Sequence, residues 1–194
     1  SDSYYNIDSE KTIDFILNHT FYKDGFTYNK KTKRKIAAII PVHVWGNACF
    51  LDDIVEICNE RNIRIVEDAS ESLGTKYLKG KNKNKTTGSI GNVGCLSFNG
   101  NKIITSGSGG MILTDSESLA KKSSYLITQA KDDPIKYIHN DIGYNYRLSN
   151  VLAALGLAQL EQLDGFTSKK LEIHKNYQTA LANIPGLELV KTPS

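Results

Sequence analysis

Apolar positions along the chain alternate between helical stripes and short continuous runs, the alternation of an α/β protein. Ile13, Ile16 and Leu17 form a short stripe behind Asp8, a helix cap in type. Phe26 to Tyr28 and Lys33 to Ile36 flank a polar turn and predict a hairpin. Ile36 to His43 is then an apolar run of strand length, with Pro41 near its end. Leu51, Ile54, Val55 and Cys58 fall at i, i+3, i+4 and i+7, one face of a helix, and Ile63 to Val66 is a second strand closed by Glu67 and Asp68. Strand, helix and strand in this order predict a right-handed crossover between parallel strands. Ligands of such sheets gather at the carboxyl ends of the strands, where Asp68 stands.

Further along, Lys76 to Thr87 predicts a polar hairpin and Gly88 to Gly91 a turn. Gly94 to Phe98 and Gly110 to Thr114 read as strands joined by a loop rich in Gly, Asn and Ser. Asp115 is placed to cap a helix around Leu119 to Leu126. Val151, Ala154, Leu155 and Ala158 suggest a helix behind Ser149, and Ile173, Tyr177, Ala180 and Leu181 another, ended by Pro185 and Gly186.

Composition narrows the classes. The 194 residues are 40% hydrophobic and 23% charged, with a formal net charge of +3, as in ordinary folded proteins and without a strong pull toward nucleic acid or membrane. Cys49, Cys58 and Cys95 form no C-x-x-C pair, so neither a disulfide framework nor zinc is indicated, and a cytoplasmic setting fits. His19, His43, His139 and His174 lack metal-ligand spacing. The first residues have no basic and apolar leader pattern and no initiator Met, so the chain is expected to be a central segment of something longer.

Lys102 is the first candidate for chemistry, a lone lysine in the loop after Cys95 to Phe98. Lysines form Schiff bases where desolvation or nearby positive charge lowers their pKa; the alternative is a solvated loop lysine. Asp68 either caps the turn after its strand or faces a cationic ring nitrogen. Ser97, Ser106 and Ser108, with the N–H groups of Gly107, Gly109 and Gly110, could form an anion site. Tyr77 and Lys81 have the Tyr-x-x-x-Lys spacing of reductases, but Gly80 argues against the helix that spacing needs. The run Lys30 to Lys35 could bind a polyanion, although at a hairpin tip it reads as a solvated turn.

Six blocks in order carry a resemblance: Val42-His-Val-Trp-Gly46, Val66-Glu-Asp-Ala-Ser-Glu71, Gly88 to Gly94, Leu96-Ser-Phe-Asn-Gly-Asn-Lys102, Gly109 to Asp115, and Gly143-Tyr-Asn-Tyr-Arg-Leu148. From about residue 36 to 182 the chain resembles the DegT/DnrJ/EryC1/StrS family of pyridoxal-phosphate sugar aminotransferases. Ser97 to Met111 and Thr128 to Asp133 look closest to members that aminate C4 of nucleotide-linked 4-keto-6-deoxy sugars in bacillosamine and legionaminic acid pathways.

The resemblance implies an incomplete large domain of the aspartate aminotransferase fold (fold type I), a mostly parallel sheet flanked by helices. Residues 1–165 would belong to it, and 166–194 would be a linking helix and the start of a small domain. It implies pyridoxal 5'-phosphate as cofactor, with Lys102 as Schiff-base lysine, Asp68 at the pyridinium nitrogen and Ser97 at the phosphate. Asn145 would reach the cofactor of a second subunit in a homodimer with shared sites. Glu71 stands where many members carry Gln near the ring's oxygen, and Arg147 falls where it could receive a donor carboxylate or form an interface salt bridge. Substrates would be a keto sugar nucleotide and glutamate. A silent cofactor-binding relative is the competing reading, and the isolated segment is expected to be inactive.

Overall fold

The computed structural model describes residues 1–133 and 135–192. Helix α1 (Ser9–Asn18) begins as expected, with the Asp8 side chain accepting the Lys11 N–H. A three-stranded antiparallel sheet follows, β1 (Thr20–Lys23), β2 (Phe26–Asn29) and β3 (Lys35–Ile36). Asp24 and Gly25 make a two-residue turn between Lys23 and Phe26, both at positive φ, as a hairpin turn that follows the strand twist requires.

The apolar run from Ile36 is not one strand. Lys35 and Ile36 pair with β2, whereas β4 (Ala38–Ile39) joins a second sheet, so the chain changes sheets at Ala37. Pro41 has no N–H to continue a ladder, but its carbonyl accepts the Asp68 N–H at 2.9 Å, and Val42 resumes the parallel pairing opposite Asp68.

Helix α2 (Asp52–Glu60) buries the predicted face, with Ile57 added to it. The second sheet has the order β4, β5 (Arg64–Asp68), β6 (Val93–Ser97), β7 (Gly110–Leu113). The first two pairings are parallel and the last antiparallel, so the sheet is mixed and mostly parallel. Residues from α1, α2 and β5 form the core, with Ile16, Leu51, Ile54, Cys58, Ile63 and Ile65 all buried.

Helix α3 (Glu117–Ile127) is capped by Ser116 rather than Asp115; the Ser116 hydroxyl accepts the Leu119 N–H. A small hairpin, β8 (Lys131–Asp133) and β9 (Ile138–His139), precedes α4 (Asn150–Leu160), which Ser149 caps as expected. Helix α5 (Leu163–Leu181) closes the helical part. On α4 the expected helix forms, but Val151, Ala154, Leu155 and Ala158 are exposed, while Leu152, Gly156 and Gln159 are half-buried. An almost uniformly apolar helix offers no periodicity from which to choose a face. On α5 the expected Ile173, Tyr177 and Ala180 are likewise exposed, and only Leu181 is half-buried. No helix among the described residues is long and apolar enough to cross a membrane.

Candidate active site

The carboxyl ends of two adjacent parallel strands build the site. Asp68 is the last residue of β5 and Ser97 the last of β6. The turn after β6 is closed by the Lys102 N–H donating to Asn99 O at 3.0 Å, and it carries a side chain only 16% exposed back toward β5. There Lys102 Nζ lies 3.6 Å from Glu71 Oε1, on the loop that follows β5. Glu71 Oε2 accepts the Trp45 backbone N–H at 2.9 Å. The extension of β4, the loop after β5 and the loop after β6 therefore meet at one sheet edge.

Asp68 Oδ1 accepts the Ser70 N–H at 3.1 Å, so the turn-capping role is realised. Its Oδ2 has no donor among the described residues. The donor set thus contains an anion with an oxygen to spare, a primary amine and a hydroxyl at Ser97, whose Oγ accepts the Asn99 N–H at 3.4 Å. The wider anion site does not form. Ser106 is buried and donates to Ser108 O at 2.6 Å, and the Gly107 N–H is taken by Thr105 Oγ1.

Asn145 and Arg147 are exposed, and neither side chain is hydrogen-bonded to Asp68, Glu71, Ser97 or Lys102 among the described residues. Their segment runs along the end of α3, with Asn145 opposite Thr128 and the Tyr144 and Tyr146 rings stacked 5.1 Å apart. A cavity of about 690 Å³ is lined by Asn47, Phe50, Tyr77, Leu78, Leu171 and His174, and Asp68, Glu71, Ser97 and Lys102 are not part of its wall. Tyr77 is not on a helix; its hydroxyl donates to Cys49 O at 3.1 Å and burial pushes its pKa up. Lys30 donates to Asn18 O, and the Lys33 and Lys35 amines sit over the Phe21 and Phe26 rings, so three cations of the basic run engage their own surroundings.

Residues 13–194 match the DegT/DnrJ/EryC1/StrS aminotransferase family. The chain belongs to that family. It is 42% identical over 153 residues to a Bacillus subtilis (strain 168) protein named "Putative pyridoxal phosphate-dependent aminotransferase EpsN", covering 79% of this chain and 38% of that one. It is 40% identical over 161 residues to the GDP-perosamine synthase of Escherichia coli O157:H7, covering 83% and 43%. The chain thus spans about two-fifths of the length of these curated relatives. A DegT DnrJ EryC1 StrS aminotransferase from Brucella abortus superposes with a TM-score of 0.83 at 26% identity, over 100% of this chain and 48% of that one. Members of the family therefore share the fold, and this chain holds an incomplete copy of it.

One buried cluster belongs to none of the candidate sites that the sequence suggests. Glu67 and His43 are fully enclosed, with His43 Nε2 2.9 Å from Glu67 Oε2. Glu67 also accepts the N–H groups of Gly88 at 2.8 Å and of Ile90 and Gly91 at 2.6 Å each. Burial would raise the Glu67 carboxyl, but donation from His43 and these three amides outweighs it and holds the pKa below the ordinary value. The signal available was a glutamate inside an apolar strand, since buried carboxylates require partners.

Proposed function

We propose that the chain supplies the central part of the active site of a pyridoxal 5'-phosphate-dependent aminotransferase. The amino group would pass from an amino acid, glutamate in this reading, to a nucleotide-linked 4-keto-6-deoxy sugar. Supporting the substrate class, curated relatives include GDP-perosamine synthases. The observation that carries the reading is that Asp68 and Ser97 end adjacent parallel strands, while Lys102, on the loop after Ser97, reaches Glu71 on the loop after Asp68.

This donor set fits the cofactor. Lys102 would hold its aldehyde carbon covalently, Asp68 its ring nitrogen and Ser97 its phosphate. When bound, the cofactor accepts electrons from the carbon that bears the reacting amine. Asp68 would support that demand, its free oxygen holding a protonated ring nitrogen by charge pairing. The Lys102 amine would be the group that takes a proton at Nζ from the donor's α-carbon and returns one to the product. Glu71, fixed by the Trp45 N–H, keeps an acceptor beside that amine. Retention of the lysine separates this reading from a silent relative.

The remaining assignments follow from the family. Residues 1–165 form part of the cofactor-binding domain, and 166–194 lead toward a small domain, with the boundary inside the continuous helix α5. Asn145 and Arg147, both exposed, are free to serve a second copy's cofactor and a donor carboxylate in a homodimer. Three free thiols fit a cytoplasmic setting.

Borohydride reduction after incubation with pyridoxal phosphate, followed by peptide mass mapping, tests the reading. Reduction onto Lys102 that is lost in Lys102→Ala is expected; labels scattered over surface lysines would count against it.

A further inference from the structure

We propose that the buried His43–Glu67 pair is a positioning device that sets Glu71 against Lys102. The inference rests on the proposed function for the meaning of Lys102, but its test does not.

The hydrogen-bond pattern fixes the state of the pair. The Cys49 N–H donates to His43 Nδ1 at 3.0 Å, so Nδ1 is the acceptor and the ring proton sits on Nε2, facing Glu67 Oε2. The Gly88 N–H donates to the same Oε2, and the Ile90 and Gly91 N–H groups donate to Oε1. With four donors on two oxygens, the carboxylate cannot turn, and neither can the imidazole between Cys49 and Glu67.

His43 is also the root of the single turn Val44–Gly46. Its N–H donates to Asp68 O at 3.0 Å, and its carbonyl accepts the Gly46 N–H at 3.3 Å. Inside that turn Trp45 has φ 53° and ψ 26°, a left-handed conformation that a bulky aromatic adopts only when its surroundings impose it. The surroundings do so: the Val44 N–H donates to Asn6 Oδ1, and Thr75 Oγ1 donates to Gly46 O. The Trp45 ring is 60% exposed, so burial of the indole does not explain the strain. What the conformation achieves is the aim of the Trp45 N–H at Glu71 Oε2, leaving Oε1 toward Lys102. A continuous set of bonds thus runs from the Gly88–Gly91 turn through Glu67, His43 and Trp45 to Glu71. The buried carboxylate serves geometry where an apolar residue could have filled the space.

The test uses the 194-residue chain with no pyridoxal phosphate present. Brief acylation with acetic anhydride at fixed pH, read by peptide mass mapping, gives the rate at Lys102 relative to exposed Lys175 on α5. Glu71→Gln removes the paired charge and is expected to raise that ratio about threefold, the worth of one partly exposed ion pair. His43→Gln and Glu67→Gln are each expected to raise it as far, and neither should add to Glu71→Gln. A Lys102 ratio equal to wild type in either variant, with wild-type near-ultraviolet circular dichroism, overturns the proposal; so does full additivity. Should both variants unfold, hydrogen exchange on the wild-type chain decides: the Trp45 amide is expected to be protected despite its exposed residue, and unprotected exchange there overturns the device. A blank borohydride experiment would not touch these outcomes, and failure here would leave that experiment standing.

Discussion

Asp68 and Cys95 are register partners on adjacent parallel strands, so their side chains leave the same face of the sheet. Ser97, two residues beyond Cys95, shares that face. The Cys95 thiol is therefore a native reporter beside the proposed site. Burial raises its pKa first, and the Asp68 charge raises it further. Burial pushes Cys49 up to about 12 and Cys58 up to about 11. Cys95 is expected to be the first thiol alkylated in the folded chain. Asp68→Asn should speed that reaction at pH 8, because removing the neighbouring negative charge favours the thiolate. Bound pyridoxal phosphate should slow it. Mass mapping after timed iodoacetamide treatment checks all three; equal reaction of Cys49 and Cys95 would contradict the arrangement.

The same Asp68→Asn change bears on cofactor affinity. A charge-assisted hydrogen bond is worth about 1.5–3 kcal/mol. Replacing it with a neutral amide should weaken pyridoxal phosphate binding about ten- to hundredfold, read by quenching of intrinsic fluorescence. Ser97→Ala removes one neutral hydroxyl and is expected to cost less, about two- to tenfold. An unchanged affinity in Asp68→Asn would place the ring nitrogen elsewhere.

Glu67 makes stability depend on acid. Its folded pKa lies below the ordinary glutamate value of about 4.3. A depressed folded pKa contributes stability that is fully present above the unfolded value and is lost as pH falls through the folded one. Urea midpoints should therefore hold above about pH 5 and fall below about pH 4. Glu67→Ala leaves three amides and the His43 Nε2–H without their acceptor, and it should cost about 3–5 kcal/mol at pH 7. Its midpoint should also vary less steeply with acid than that of the wild type.

Much of this architecture was legible in the residues, for identifiable reasons. The stripe Leu51, Ile54, Val55, Cys58 worked because polar residues separate its members, so only one face could be buried. Asp8 and Ser149 were readable as caps because their side chains act locally. Strand β1 was missed although Asp24-Gly25 announces its hairpin, since Thr20 to Lys23 has little apolar alternation. The sheet change at Ala37 depends on which strand each residue meets, which no local pattern records. Lys102 and Asp68 stand out as candidates by local position, a lone lysine in a loop and a carboxylate at a strand end, whereas the His43–Glu67 pair joins residues 24 apart and becomes visible only in three dimensions.

Helix α4 leads to the last prediction. Its sequence is apolar nearly all round, yet none of its residues is buried, with Val151 79% exposed and Leu155 and Leu157 exposed beside it. Gly156 faces the Ser106 side chain with space for a Cβ. A helix of this composition belongs in an interior, and an apolar face of this size drives association in water. Sedimentation velocity of the chain at micromolar concentration is expected to show species larger than monomer. Val151→Lys combined with Leu157→Lys should raise the monomer fraction while leaving far-ultraviolet circular dichroism unchanged, because neither side chain supports the core at Ile54 and Ile65. Ser106→Leu, which would push against Gly156, should instead loosen the loop that carries Lys102 and lower borohydride-trapped cofactor. A monomeric wild-type chain would show that α4 is covered within one copy.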